Sequence, residues 1–190
     1  MKFDDRGLFH MDEAELVQVF SVAFSRMLER DAELFSARKP QERTFMFRFA
    51  HELAVLFAFA ENYRQNGKPV LSLDVEYNRD GSEVKTPHGI VNSDQHRWIA
   101  PDIILHERGS KVHGYRNDIF VCEMKKKDLP LKEDSKRIRA FLKWRKYKFG
   151  IDFYHFTEQD YAFDLYQRDY ERHRYVFDRN EKAFRRTDLT

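Results

Sequence analysis

The sequence predicts a single α/β domain over residues 1–190, in which two helices precede three strands and a third helix leads to a fourth strand. Three observations predict it. Residues 12–35 and 41–65 carry apolar side chains at helical spacing. Residues 99–106 and 118–125 are apolar segments of strand length, and residues 131–149 and 151–157 read as a further helix and strand. Because 42% of the chain is hydrophobic, with 18 Phe, one core can form.

The first two helices differ in their polar residues. Asp12 and Glu15 form an N-cap pair that begins an amphipathic helix, for which a structural role is expected. The second helix is apolar from residue 45 to residue 60 except for Arg48, His51 and Glu52. Such a helix is buried, so this polar stripe should face something specific. One alternative is an Arg48–Glu52 ion pair on a solvent-facing edge. His51 is expected to be packed or hydrogen-bonded rather than to bind a metal.

A strand and a long polar connection follow the second helix. Residues 70–77 alternate apolar and polar side chains, which predicts a half-exposed strand with Asp74 and Glu76 on its polar face as surface acids. Residues 79–97 form a long connection, and loops of this length in compact domains are usually functional or mobile. The connection reads a substrate or crosses to a second subunit, and the sequence does not choose between these.

Residues 99–106 and 118–125 predict a hairpin with chemistry at one end. With a turn near residue 112, residues whose numbers sum to about 225 face each other, which makes Asp102 and Glu123 neighbours. Glu123 and Lys125 project from one face, while Met124 points to the other. Two adjacent carboxylates repel each other unless a hard cation such as Mg²⁺ lies between them. A lysine beside the metal can orient or deprotonate a water, which suits phosphodiester hydrolysis.

The pair Pro101-Asp102, followed by Glu123-Met124-Lys125, resembles the signature of the PD-(D/E)XK nuclease superfamily. The resemblance covers about residues 41–157 and implies a restriction-endonuclease-like core, a central mixed sheet flanked by helices. It implies Mg²⁺ or Mn²⁺ held by Asp102, Glu123 and the Met124 carbonyl, with Lys125 as the catalytic lysine. In this superfamily the helix before the first strand often contributes a glutamate, and Glu52 matches as a third catalytic and metal-binding acid.

The rest of the chain completes this core and extends it. Residues 131–149 form a helix that Gly150 ends, and residues 151–157 form a strand reached by a right-handed crossover. Residues 12–35 are an N-terminal helical extension. Residues 158–190 are a C-terminal extension, with a β-hairpin at 161–167 and 174–177 and a polar tail from residue 180.

Positive charge is concentrated after Lys125. Residues 125–149 contain eleven basic and three acidic residues, although the whole chain carries a net charge of only +2. Such a block is expected to contact a polyanionic backbone, the alternative being a solvated helix face. The candidate nucleic-acid contacts are Lys126, Lys127, Lys136, Arg137, Arg139 and Lys143.

The sequence therefore favours a metal-dependent endonuclease or exonuclease that hydrolyses DNA. The alternative is a non-catalytic nucleic-acid- or protein-binding module with a nuclease-like fold, for example of phage or mobile-element origin. The single cysteine, Cys122, and the lack of a long apolar run predict a cytoplasmic protein that does not enter a membrane. A homodimer is expected if both strands of a duplex are cut.

Overall fold

A computed structural model of the chain describes residues 1–5, 8–32, 42–62, 64–65, 68–69, 71–76, 79–80, 83–84, 101–107, 118–125, 132–145, 147–154, 161–169 and 171–188. Its helices are α1 (Glu13–Arg30), α2 (Glu42–Asn62) and α3 (Lys132–Ala140), and α3 continues into a π-helical turn, Phe141–Arg145. Short ribbons pair β1 (Lys2–Phe3) with β2 (Phe9–His10), β3 (Arg64–Gln65) with β4 (Lys68–Pro69), and β6 (Arg79–Asp80) with β7 (Glu83–Val84).

The main sheet has seven strands among the described residues. They are β5 (Ser72–Val75), β8 (Ile103–His106), β9 (Phe120–Met124), β10 (Phe149–Tyr154), β11 (Ala162–Gln167), β12 (Arg172–Asp178) and β13 (Ala183–Thr187). Their spatial order is β13-β12-β11-β10-β9-β8-β5. Only β9 and β10 pair in parallel, because α3 and its π-helical turn connect them, and the other neighbours are antiparallel. The predicted α/β architecture with a large mixed sheet flanked by helices is confirmed.

The two faces of the sheet have different coverings. We call the face packed against α1 and α2 the apolar face, and aromatic rings fill it: Phe20 of α1 lies 5.2 Å from Phe49 of α2 and 5.5 Å from Phe120 of β9, between ring centroids. The opposite face, which we call the polar face, carries α3 over a smaller apolar cluster that includes Val121 and Ile138. Because side chains alternate along a strand, consecutive residues of β9 serve different faces.

The capping box of α1 is confirmed, since Asp12 Oδ1 accepts from Glu15 N at 2.8 Å and Glu15 Oε2 accepts from Asp12 N at 2.9 Å. The prediction that α2 is buried nearly all round is wrong. Phe47, Val55 and Phe59 are each about half exposed, and His51 is exposed rather than packed. A helix laid on one face of a sheet buries only the stripe that faces the sheet, so the outward apolar residues remain exposed.

Gly150 does not end α3, which is a correction to the sequence prediction. The described helix and its π-helical turn finish at Arg145, and Phe149 and Gly150 already belong to β10. A Cβ on Gly150 would lie 2.2 Å from Ile138 Cγ2 of α3. The glycine is therefore required by the close approach of helix to sheet.

The polar tail predicted from residue 180 is also wrong over part of its length. Ala183–Thr187 form β13, which pairs antiparallel with β12, and Phe184 is buried in the apolar core. One inward apolar residue among charged ones was too little periodicity to indicate a strand. The predicted hairpin is confirmed as β11 and β12, but it extends the main sheet instead of standing apart. Of the long connection at 79–97, only β6 and β7 lie within the described residues.

Candidate functional site

The hairpin of β8 and β9 has the register that the sequence predicts. Ile103 pairs with Cys122, Ile104 with Val121 and Leu105 with Phe120. Continued by one residue, this register sets Asp102 opposite Glu123. A hydrogen bond also joins the two strands at this end: Asp102 Oδ2 accepts from Met124 N at 2.6 Å.

Glu123 lies on the polar face. Val121 packs in the cluster beneath α3, whereas Cys122 and Met124 pack in the core beneath α1 and α2. The alternation of the strand then directs Glu123 to the same side as Val121. Glu123 is only 1% exposed, and its Oε2 lies 3.5 Å from Arg137 Nη1 of α3. A buried carboxylate needs such a counter-charge to remain ionised.

Lys125 is surrounded by acids. Its Nζ donates to Glu42 Oε1 at 3.3 Å, and Glu42 is the first residue of α2. Burial lowers the pKa of Lys125, but the charges of Asp102, Glu42 and Glu123 outweigh burial and raise the pKa above its ordinary value. The side chain is therefore an ammonium ion at neutral pH.

At Asp102, burial outweighs the nearby positive charge. Burial raises the pKa of its carboxyl group, the Met124 N–H and Lys125 oppose that rise, and the charge of Glu42 adds to it. Among the described residues, Oδ1 of Asp102 receives no hydrogen bond, while Oδ2 is used by Met124 N. The carboxylate thus keeps one oxygen for another ligand.

The register also determines which residue faces the backbone carbonyl of Met124. Two residues beyond the pair of Ile103 and Cys122, Met124 stands opposite Pro101, which has no N–H to donate. Met124 N turns to Asp102 instead, and the N–H and C=O of one strand residue point to the same neighbouring strand. The ladder therefore supplies no donor from Pro101 to this carbonyl.

Glu52 lies elsewhere. Its Oε1 accepts from Arg30 Nη1 at 2.8 Å, and its Oε2 has no hydrogen-bond partner among the described residues. The expected Arg48–Glu52 ion pair is wrong, since Arg48 lies 3.6 Å from Asp31 instead. Glu52 is ten residues from Glu42 on α2, which corresponds to about 15 Å along the helix. The structure brings Glu42, not Glu52, to Lys125.

Sequence reasoning missed Glu42 and the alignment of acids across neighbouring strands. Glu76 N donates to Asp102 O at 3.0 Å, and the strand registers then set Glu123 opposite Asp152 and Asp152 opposite Asp164. Asp74 of the same strand as Glu76 is buried against His106 rather than at the surface. We call five acids that lie in successive strands or directly beside their ends the carboxylate row: Glu76, Asp102, Glu123, Asp152 and Asp164. Glu42 was signalled only as an acid in the first turn of a helix.

The row is matched by basic side chains. Arg43 donates to Glu76 at 2.9 Å, and Arg172 and Arg174 both bind Asp164. Of the candidate nucleic-acid contacts, Lys136, Arg139 and Lys143 are exposed on α3 and its π-helical turn. Arg137 instead turns inward to Glu123. Lys126 and Lys127 lie outside the described residues.

Within the described ranges there is no group of three or more His, Cys, Asp or Glu side chains arranged to hold a metal ion. No helix in the same ranges is long and apolar enough to cross a membrane. Comparisons of the chain with known protein families, with curated proteins and with solved structures found no match.

Proposed function

We propose that this protein is a divalent-metal-dependent nuclease that cleaves DNA, with a core of the PD-(D/E)XK type. The observation that carries the proposal is the meeting of Asp102, Glu123 and Lys125 at one end of the hairpin. The order of elements supports it, because α2, the antiparallel strands β5, β8 and β9, the helix α3 and the parallel strand β10 follow in that sequence. This is the order of the resembled core.

The residues present fit a hard divalent cation. Asp102, Glu123 and the Met124 carbonyl offer oxygen ligands, which Mg²⁺ and Mn²⁺ prefer. The Met124 carbonyl faces a proline, and burial raises the pKa of Asp102 although the Met124 N–H and Lys125 oppose that rise. Bound there, the cation would supply Lewis acidity toward the phosphate and acidify a water. Because only two side chains are ligands, this set is smaller than a three-carboxylate cluster.

The protein residues have distinct roles in this proposal. Lys125 is held as an ammonium ion, so it orients a water and offsets charge on the phosphate rather than removing a proton in this state. Glu42 positions the Lys125 amine through its hydrogen bond. Arg137 positions Glu123, and the Met124 N–H positions Asp102. Glu52 has no part in this arrangement.

The test compares Lys125→Ala with Lys182→Ala. Lys182 is an exposed lysine whose Nζ donates to Glu29 at 2.6 Å, so its loss removes the same charge far from the hairpin. With Mg²⁺ or Mn²⁺, the wild type and Lys182→Ala should cut plasmid and oligonucleotide DNA, and Lys125→Ala should lose at least about a hundredfold in rate. Unfolding curves should show that all three proteins fold.

Metal binding is measured separately by calorimetric titration. The wild type should bind Mn²⁺ and the double variant Asp102→Asn/Glu123→Gln should not, since both carboxylate ligands have been neutralised. Full cleavage by Lys125→Ala, or equal metal binding by the double variant, would exclude the nuclease proposal.

One observation favours a second function, a nucleic-acid-binding module without turnover. The acids at the hairpin already have protein cations beside them, Arg137 at Glu123 and Lys125 at Asp102 and Glu42. Such pairing lets the site fold without metal. This function predicts DNA binding that weakens with salt and is the same in Mg²⁺ and in EDTA.

A further inference from the structure

Asp164 on β11 holds two arginines at once. The carboxylate is completely buried, and its Oδ2 accepts from Arg172 Nε at 2.9 Å and from Arg172 Nη2. Its Oδ1 accepts from Arg174 Nε at 3.1 Å and from Tyr154 Oη at 2.9 Å. Both oxygens are thus occupied, and the carboxylate orients two guanidinium groups.

The arginines have donors left over. Each guanidinium carries five N–H groups, and Arg174 makes no other hydrogen bond within the part of the chain that the structure describes. The side chains of Arg172 and Arg174 remain 31% and 26% exposed, so both are partly open to solvent. The guanidinium of Arg174 also lies 5.7 Å from the ring centroid of Tyr154, a contact that limits its rotation.

Positive charge exceeds what the fold needs at this place. One arginine and the tyrosine hydroxyl would already neutralise and bind Asp164, and a second guanidinium adds repulsion between like charges. A third, Arg139 of α3, is exposed and lies 5.7 Å from the ring centroid of Tyr166. Tyr166 pairs with Arg172 across β11 and β12, which brings Arg139 to the same face.

We infer that Arg172 and Arg174, oriented by the buried Asp164, form a binding site for a phosphate group. The planar fork of arginine matches the oxygens of a phosphate, and a buried carboxylate that fixes two such forks reduces the entropy lost on binding. Arg139 adds positive charge at the edge of this site.

The phosphate belongs either to a nucleic-acid backbone or to a free phosphate compound. Asp164 continues the carboxylate row two strands from Glu123, and it pairs with Arg174, which is three strands from Glu123. At about 4.8 Å between strands, Glu123 and Arg174 are roughly 14 Å apart, which is the axial rise of about four nucleotides in a duplex. The backbone source rests on the proposed function, whereas the phosphate site itself does not.

The experiment measures binding in EDTA, so cleavage is not involved. Probes are inorganic phosphate, followed by calorimetry and by shifts of arginine side-chain NMR signals, and a fluorescein-labelled oligonucleotide, followed by anisotropy. Variants are Arg174→Lys, which keeps the charge and loses the fork, and Asp164→Asn, which keeps both arginines and makes the chain more positive. Lys182→Gln is the control, because it removes a positive charge at the side where α1 lies.

Arg174→Lys and Asp164→Asn should each weaken binding of at least one probe about tenfold or more, while Lys182→Gln should change it less than about twofold. Weakening by Asp164→Asn is the sharper result, since charge alone predicts tighter binding by that variant. Thermal unfolding of each variant shows whether it is folded. If Asp164→Asn does not fold, Arg174→Lys alone carries the test.

The two probes distinguish the sources. Loss of oligonucleotide binding together with a smaller salt slope indicates a backbone phosphate, and loss of inorganic phosphate binding alone indicates a free phosphate compound. Unchanged binding of both probes by a folded Arg174→Lys, or tighter binding by Asp164→Asn, would overturn the phosphate site. A protein that binds phosphate here and never cuts DNA would support this site and refute the nuclease.

Discussion

Lys125 owes its charge state to three carboxylates on three different elements: Glu42 begins α2, Asp102 precedes β8 and Glu123 belongs to β9. Burial alone would lower the pKa of Lys125, and the charges of the three acids together raise it above its ordinary value. At the scale of single residues, neutralising one acid of this site should therefore change the pKa values of the charged groups beside it.

Glu42→Gln tests this balance, with Glu52→Gln as the matched variant on the same helix. Neutralising Glu42 removes a charge that holds Lys125, so we expect cleavage to fall about tenfold or more and the pKa of Lys125 to move toward its ordinary value. Glu52 binds Arg30 instead, so Glu52→Gln should leave cleavage unchanged. Rates over a range of pH and NMR titration of the Lys125 amine measure both effects. Equal losses in the two variants would contradict the placement of Glu42.

His173 on β12 links the C-terminal strands to α1. Its Nδ1 lies 2.6 Å from Glu13 Oε1 and its Nε2 lies 2.7 Å from Glu171 Oε1. Burial and Arg186 lower the pKa of His173, but the bonds to Glu13 and Glu171 outweigh them and raise it. Two carboxylates on the two ring nitrogens are best satisfied by the imidazolium ion, which donates from both.

The pH dependence of stability follows from the direction of the His173 pKa shift. A group whose pKa is raised by folding stabilises the protein fully below its unfolded pKa, about 6.5, and this stability is lost as the pH rises through the folded value. The wild type should therefore lose more stability than His173→Gln between about pH 6 and pH 9. Melting temperatures across that range measure it, and parallel profiles for the two proteins would show that His173 contributes nothing.

At the scale of elements, α3 determines how the polar face is closed. The helix reaches the sheet over Gly150, and it carries Arg137 to Glu123 and Ser135 to Asp152, at 3.5 Å and 3.3 Å respectively. The absence of a side chain at Gly150 of β10 thus allows the short distance between α3 and the sheet, and side chains of α3 complete the site. The same helix presents Lys136 and Arg139 outward, as an exposed basic surface.

Gly150→Ala should raise α3 from the sheet. The added methyl group would meet Ile138 Cγ2 at 2.2 Å and Leu142 Cδ1 at 3.3 Å, and such overpacking costs about 1–3 kcal/mol. Denaturant unfolding of Gly150→Ala, Ile138→Ala and the double variant forms a cycle. The double variant should lose less free energy of unfolding than the two single variants lose together, because truncating Ile138 makes room for the methyl group. Strict additivity would mean that the two positions do not meet.

At the scale of the whole molecule, the sheet unites the N-terminal and C-terminal parts of the chain. β13 is its last strand, yet Phe184 lies among rings from distant segments, 5.3 Å from Phe24 of α1 and 5.8 Å from Phe153 of β10. Phe184 N also donates to Ser21 Oγ of α1 at 2.9 Å. Residues that seemed to be an appendage by sequence therefore belong to the same core.

Phe184→Ala should destabilise the entire protein by about 3–5 kcal/mol, as expected for a buried ring. Arg185→Ala on the same strand is the control: its side chain is 59% exposed and, among the described residues, forms an ion pair with Glu181, so its loss should change stability by less than about 1 kcal/mol. Circular dichroism and tryptophan fluorescence should report one coincident unfolding transition. Two separate transitions in Phe184→Ala would show that the C-terminal strands unfold on their own.

Local pattern by itself determined much of this protein. The capping box at Asp12, the helices α1 and α2, the alternation of β5 and the register that sets Asp102 opposite Glu123 all depend on neighbours close in sequence. A hairpin register follows from its turn and its apolar residues, so arithmetic on the sequence was enough. The end of α3 was less predictable. Glycine commonly ends a helix, whereas Gly150 lies in β10 and provides clearance for Ile138.

The tertiary structure alone decided which distant side chains meet. Glu42 instead of Glu52 reaches Lys125, because the position of α2 on the sheet depends on packing against α1 and the strands and not on the periodicity of α2. The pairing of Asp164 with Arg172 and Arg174, and of Phe184 with Phe24, joins residues by strand order and by packing across layers. No local pattern encodes these contacts, since each depends on the free energy of burying the whole sheet between its helices.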